Sequence, residues 1–155
     1  MSTDISMQTT TYQVGNRQWL LAEPDVKLNV TLDISKFTSG THYPNGYIPS
    51  GTVIGKVTAT GLYGPYDAAA SDGTQTATHI TYGDVRAVRQ NGTTASKVGT
   101  GGVAYDAIVS ISKLPFATGT GIKGALDGTS NTGTVTAAAS LTAAKSALAQ
   151  IRFEA

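Results

Sequence analysis

The segment from Ser50 to Ala77, SGTVIGKVTATGLYGPYDAAASDGTQTA, leaves little room for a helix. Its first half is rich in β-branched residues, which fit a pleated strand, and glycines recur at positions 51, 55, 61 and 64. Thr52 to Thr60 is therefore expected as a strand, with Val53, Val57 and Ala59 on one face and Lys56 and Thr58 on the other. Gly55 inside it marks a bulge or a close backbone approach. Gly61 to Asp72 returns to turn chemistry around Gly64 and Pro65, and Asp72-Gly73 predicts an Asx turn. The segment has a defined shape but no complete set of catalytic groups.

Its surroundings extend the β pattern. Leu28, Val30, Leu32 and Ile34 alternate with Asn29, Thr31, Asp33 and Ser35, the period of a half-buried strand. Pro44-Asn45-Gly46 offers a tight turn between Tyr43 and Tyr47. Thr76 to Val88 predicts one or two strands, and RQNGTTASKVGTGG after it an exposed loop or hairpin tip. Val103 to Lys113 is expected as a strand with Val103, Tyr105, Ala107, Val109 and Ile111 on one face, ended by Pro115. Only the C-terminal part has helical spacing: Leu141, Ala144, Leu148 and Ile151 share a face, predicting a helix over about residues 137–151. Met1 to Val26 is Thr-, Gln- and Ser-rich with one apolar cluster at Trp19, Leu20 and Leu21. It is expected as a flexible arm preceding a β-rich domain at 27–155, with Trp19 either folded back into the core or free as an interface anchor.

Composition limits the chemistry. At 155 residues the chain supports one domain, but Leu, Ile, Val and Phe make up only about a fifth of it, so a modest core and some flexible segments are expected. A net charge of +1 with scattered cations gives no footprint for a nucleic-acid backbone. There is no cysteine, so disulfides and thiolate metal sites are excluded. No apolar run spans a bilayer and no signal peptide opens the chain, predicting a soluble protein made in the cytoplasm, with no membrane partner. His42 and His79 have no carboxylates in close pattern and are expected to be surface or structural residues. Asp67, Ser71 and Asp72 lack the alternation and closing glutamate of a calcium loop. Lys56 after Gly55 is not a phosphate-binding loop, and is expected as a solvated strand residue. Neither enzymatic activity nor a cofactor is expected.

GYIPSGTVIGKVTATGLYGPYDAAASDGTQTATHI resembles the central signature of the tailed-phage head decoration proteins, the lambda protein D group. Pro49, Gly51, Ile54, Gly55, Lys56, Val57 and Thr58 match its leading strand. Gly61, Tyr63, Pro65 and Tyr66 match its bend, and Ser71, Asp72, Gly73 and Ala77 its following turn. After Ala77 the chain departs, with Thr78, His79 and Ile80 where many members have a Gly-Ile-Leu-like step. The likeness runs from about Thr31 to Phe153. It implies a β-tulip-like domain with a short helix, assembled as a homotrimer that clamps major capsid proteins at three-fold and quasi-three-fold sites on the virion head. It also implies an N-terminal arm that adds a strand to capsid elements, through Tyr12, Trp19, Leu20 and Leu21. Two rival readings are a tail or fibre module, for which repeats and heptads are missing, and a carbohydrate-binding module. The latter would use Trp19, Tyr63, Tyr66 and Tyr82 as a stacking platform.

Overall fold

The computed structural model describes residues 14–110, 113–115, 148 and 150–154. Its strands are β1 (Leu20–Ala22), β2 (Leu28–Asp33), β3 (Tyr47–Ile48), β4 (Val53–Lys56), β5 (Tyr63–Pro65), β6 (Ala77–Thr81), β7 (Val85–Arg86), β8 (Lys97–Val103), β9 (Ala107–Ser110) and β10 (Ile151–Glu154). A 3-10 turn at Ile34–Lys36 and a single helical turn at Ser39–His42 lie between β2 and β3. The fold is mainly β, as the sequence pattern predicts.

β2, β5, β4, β6 and β8 close into a barrel in that order. β9 is the central strand of a second sheet, antiparallel to β1 and parallel to β10, and β3 and β7 form a two-stranded ribbon. Closure removes the barrel's strand edges, whereas β1 and β10 are the edge strands of the other sheet among the described residues.

Two apolar clusters hold these parts together. Trp19, Tyr66, Val53, Ile80, Val103, Val109, Leu114, Leu148 and Ile151 join the β1–β9–β10 sheet to barrel strands β4, β6 and β8. Val30, Leu32, Ile34, Phe37, Ile48, Ile54 and Val85 join the barrel to the β3–β7 ribbon. β2 follows the expected alternation from its third residue, with Val30 and Leu32 buried and Asn29 and Thr31 exposed, but Leu28, expected on the buried face, is exposed at the strand's start. Ile34 still points inward, but from the 3-10 turn, where the Asp33 carboxylate accepts the Ser35 N–H at 3.1 Å.

β4 departs from alternation. Ser50 to Gly55 are all buried, and Val53 and Ile54, neighbours along the strand, belong to different clusters. A strand covered on both faces has no polar face to show. It ends at the exposed Lys56; the chain then turns, with the Gly61 N–H donating to the Val57 carbonyl at 2.8 Å, and Ala59 is exposed rather than sharing a buried face. Gly55 combines both features expected of it. The β4–β6 register shifts between Ile54 and Gly55, and a Cβ at Gly55 would lie 2.7 Å from the Thr74 Cα and carbonyl oxygen.

The glycine-rich residues 97–102, expected within an exposed loop or hairpin tip, instead belong to strand β8, paired with β2 from Leu28↔Gly102 to Asp33↔Lys97. One of its glycines is a packing requirement: a Cβ at Gly102 would lie 3.0 Å from the His79 ring and 3.1 Å from Val30, whereas one at Gly99 would meet nothing within 4 Å. The turn at the tip is confined to residues near 89–93, closed by the Arg89 N–H donating to the Thr93 carbonyl at 2.8 Å. The expected strand from Val103 to Lys113 is broken: β8 ends at Val103, Asp106 takes a φ of +55°, and β9 begins at Ala107. Ala107 and Val109 are buried as predicted, while Ile111 lies outside the described residues. Nearly all of the helix predicted over 137–151 also lies outside them. Leu148 and Gln150 are in turns, and Ile151, expected as the last helical residue, begins β10: it stands opposite Ala107 of β9 with its side chain in the Trp19 cluster, while its N–H closes the preceding turn by donating to the Leu148 carbonyl at 2.9 Å.

Candidate functional site

Among the described residues no group of three or more His, Asp or Glu could hold a metal ion. His42 is buried, and its Nδ1 accepts the Thr38 N–H at 2.8 Å. His79 is buried edge-on against Tyr63, ring centroids 5.2 Å apart. Burial, and secondarily the Lys56 charge, hold its imidazole below the ordinary histidine range. Both histidines are structural.

The N-terminal segment is where the fold meets solvent with apolar groups. Trp19 is 1% exposed and is the key by which the segment is fixed. Its Nε1–H donates to Ser50 Oγ at 2.9 Å, and Ser50 Oγ donates to the Tyr82 carbonyl at 2.7 Å. The Ser50 N–H donates to Asp84 Oδ1 at 2.7 Å, and the Ser110 N–H to the Trp19 carbonyl at 2.7 Å. Gly51 makes room for the indole: a Cβ there would lie 2.9 Å from Trp19 Cδ1 and 2.8 Å from Pro115 Cδ. Pro49 sets the corner, its carbonyl accepting from the hydroxyls of Thr52 at 2.7 Å and Thr81 at 3.2 Å. Tyr66 and Ala77 pack in the same cluster as the tryptophan. The Ser50–Ala77 segment is thus the socket that receives Trp19.

Directly after this key comes β1, paired with β9 on one side and, among the described residues, with no strand on the other. Leu20 is half-buried, and Leu21 is 58% exposed. Val14, Val26 and Leu28 are also exposed, so the large exposed apolar side chains among the described residues all fall between positions 14 and 28. A second tie holds it down. The Tyr82 hydroxyl donates to Glu23 Oε1 at 2.7 Å, while Arg17 and Lys27 lie 4.6 and 4.5 Å from the Tyr82 ring centroid. The Tyr82 hydrogen bond is the main reason that the Glu23 carboxyl is held below its ordinary range, with the Lys27 and Arg17 charges assisting. An open edge with apolar neighbours is suited to pairing with a strand from another protein. The Tyr82 tie was not foreseen in the sequence. Its one signal is the four-residue Glu23–Lys27 spacing, which carries meaning in helices and none in an irregular segment.

Of the expected contact residues, Leu21 is exposed, Leu20 is half-buried and packs inward against the Trp19 cluster, Trp19 is buried, and Tyr12 is outside the described residues. The aromatics of the carbohydrate reading are not a platform. Trp19 and Tyr66 are buried, Tyr63 packs on His79, and Tyr82 is sandwiched between two cations.

The remaining signature residues stabilise the return from β5 to β6. Pro65 is buried in β5 and Ser71 is exposed. The Thr58 N–H donates to the Asp72 carbonyl at 2.8 Å. The Asp72 carboxylate forms the expected Asx turn, Oδ1 accepting the Thr74 N–H at 3.1 Å and its hydroxyl at 2.6 Å, while Oδ2 meets Lys36 Nζ at 2.9 Å. Gly73 follows at φ +109°, where a Cβ would collide with the Lys56 carbonyl. The Thr74 hydroxyl first, then Lys36 and the Thr74 amide, hold the Asp72 carboxyl well below the usual carboxylate range. A folded-state pKa below the unfolded value gives stability that is present at neutral pH and lost as pH falls below about 4. Asp72→Asn is therefore expected to narrow the gap between urea midpoints at pH 7 and pH 3. An unchanged gap would remove Asp72 from the acid response.

Comparison with known proteins adds one match: the family model of bacteriophage lambda head decoration protein D aligns with residues 9–150. No curated protein and no solved structure matches.

Proposed function

The chain belongs to the bacteriophage lambda head decoration protein D family, and from that membership we propose that it cements expanded phage heads as a homotrimer at three-fold and quasi-three-fold sites. The family match carries this reading. The N-terminal segment is the proposed contact. Tyr12, Leu20 and Leu21 meet the major capsid protein, β1 offers its open edge for strand addition, and Trp19 holds that edge to the domain.

The mechanism is mass action. A ligand that binds only the expanded shell stabilises it by RT ln(1 + [L]/Kd), and three N-terminal segments on one trimer raise each other's effective concentration. This opposes the outward pressure of packaged DNA without any bond being made or broken.

The test is co-sedimentation with expanded heads that lack their decoration protein. The full chain is expected to bind saturably, and Leu21→Asp, which places a charge on the exposed apolar edge, to weaken binding about tenfold or more. Failure of the full chain to bind would overturn the decoration reading. Undiminished binding by both Leu21→Asp and a chain lacking residues 1–13 would overturn the N-terminal contact alone.

A further inference from the structure

The turn at 43–46 and the hairpin tip near 88–94 enclose an open groove of ≈1090 Å³ that contains no residue of the N-terminal segment and none of the β1–β9–β10 sheet. Its floor is Gly46, whose carbonyl accepts the N–H groups of both Ala87 and Val88 at 2.9 and 3.0 Å. A side chain at Gly46 would be strained at φ +80° and would lie 3.3 Å from Val88 Cβ, so the groove depends on this glycine. Two arginines, Arg86 and Arg89, line it, with Tyr43, Tyr47 and Asn45, and none of its lining residues is Asp or Glu.

Arg86 is pre-positioned. Its Nε–H donates to the Val88 carbonyl at 2.9 Å, and its guanidinium carbon stands 5.7 Å from the Tyr47 ring centroid. These two ties orient the guanidinium and leave the terminal NH₂ groups available as a fork. Among the described residues, neither Arg86 nor Arg89 is in an ion pair, whereas Arg17, Lys27, Lys36 and Arg152 each meet a carboxylate. A planar fork held by one of its own nitrogens, beside a second unpaired guanidinium, is complementary to a carboxylate.

We propose that this groove docks a carboxylate-bearing, extended segment of a partner protein. One carboxylate is held by the Arg86 fork, a second is attracted by Arg89, and the segment's backbone lies along Tyr47 and Asn45. A nucleic acid fits less well, because its affinity grows with the number of phosphates neutralised and only two cations face the groove. The groove is separate from the N-terminal face, so the proposal does not rest on shell binding.

The test uses the full chain, ¹⁵N-labelled, titrated with a blocked hexapeptide alternating glutamate and glycine. The expected result is saturable shifts at the amides of Gly46, Val88 and Gly92 that weaken as salt is raised from 20 to 300 mM. The double variant Arg86→Gln/Arg89→Gln is expected to lose about tenfold or more in affinity, each charge-assisted contact contributing. Arg86→Lys, which keeps the charge and loses the fork, is expected to fall between the two. Both arginines are exposed, and unchanged amide shifts away from the groove confirm that the variants fold. Equal shifts with the glutamine-glycine peptide, or undiminished binding by the double variant, would overturn the proposal. So would shifts of the same amides by a thymidine oligonucleotide with the glutamate peptide silent.

Discussion

Trp19→Ala is expected to lower stability by about 3–5 kcal/mol, the range for truncating a buried aromatic, read as a fall in the urea midpoint at unchanged slope. Three losses combine. The indole is 1% exposed and contacts a cluster contributed by β4, β6, β9 and β10, so its removal leaves a cavity between the barrel and the second sheet. The Ser50 hydroxyl loses a buried donor at 2.9 Å. The edge strand β1, which follows the tryptophan directly, loses its side-chain anchor and keeps only its pairing with β9 and the Tyr82–Glu23 tie. Against a typical total of about 5–15 kcal/mol, such a loss leaves little reserve. Trp19→Phe keeps most of the volume and loses the Nε1–H, so about 1 kcal/mol is expected from the hydrogen bond, together with imperfect filling. The same burial determines where the N-terminus can be cut. Deletion through Val26 removes Trp19 and β1 and is expected to unfold the domain, whereas deletion through residue 13 leaves every described contact in place. A Trp19→Ala midpoint within experimental error of the parent would show that the indole is not the key to this interface.

Where the sequence was legible, one face of an element was wet. β2 alternates because its outer face is solvated, and the 43–46 turn and the Asx turn at Asp72 follow from short-range chemistry that needs no partner. The failures share a cause. β4 is covered on both faces, and β8 combines glycines with a site at Gly102 that His79 and Val30 crowd, so neither displays a pattern that a single strand could carry in isolation. The site behaves likewise. Leu20 and Leu21 stood out as an apolar cluster in a polar segment, but only the tertiary fold separates a buried Trp19 from an exposed Leu21 two residues on. Tyr82 closing on Glu23 joins positions 59 residues apart, beyond any local signal. Arg86 and Arg89 looked like two scattered charges in a chain of net +1, and only the turn brought against them by Gly46 makes a groove.

Gly55→Ala is expected to be at least as damaging as the loss of Trp19, although it adds one methyl group. The added Cβ would lie 2.7 Å from the Thr74 Cα and from the carbonyl oxygens of Thr74 and Thr76. All three are backbone atoms, so no side-chain rotation relieves the contact, and relief requires β4 to move from β6 at the point where their register already shifts. β4 is also paired to β5 and buried in both clusters, and displacing it disturbs Val53 and Ile54 together. A cost above about 3 kcal/mol, beyond the usual overpacking range, is the consequence of a clash that the structure cannot absorb locally. Gly83→Ala is the matched control. Nothing lies within 4 Å of a Cβ at Gly83, so it is expected to change stability by less than about 0.5 kcal/mol. Thermal melts of the two variants separate the explanations: similar midpoints would mean that glycine at 55 serves no close approach. A large loss confined to Gly55→Ala would identify the β4 bulge as the position where this barrel tolerates no side chain, and thereby as the reason for the glycine at the centre of the Ser50–Ala77 segment.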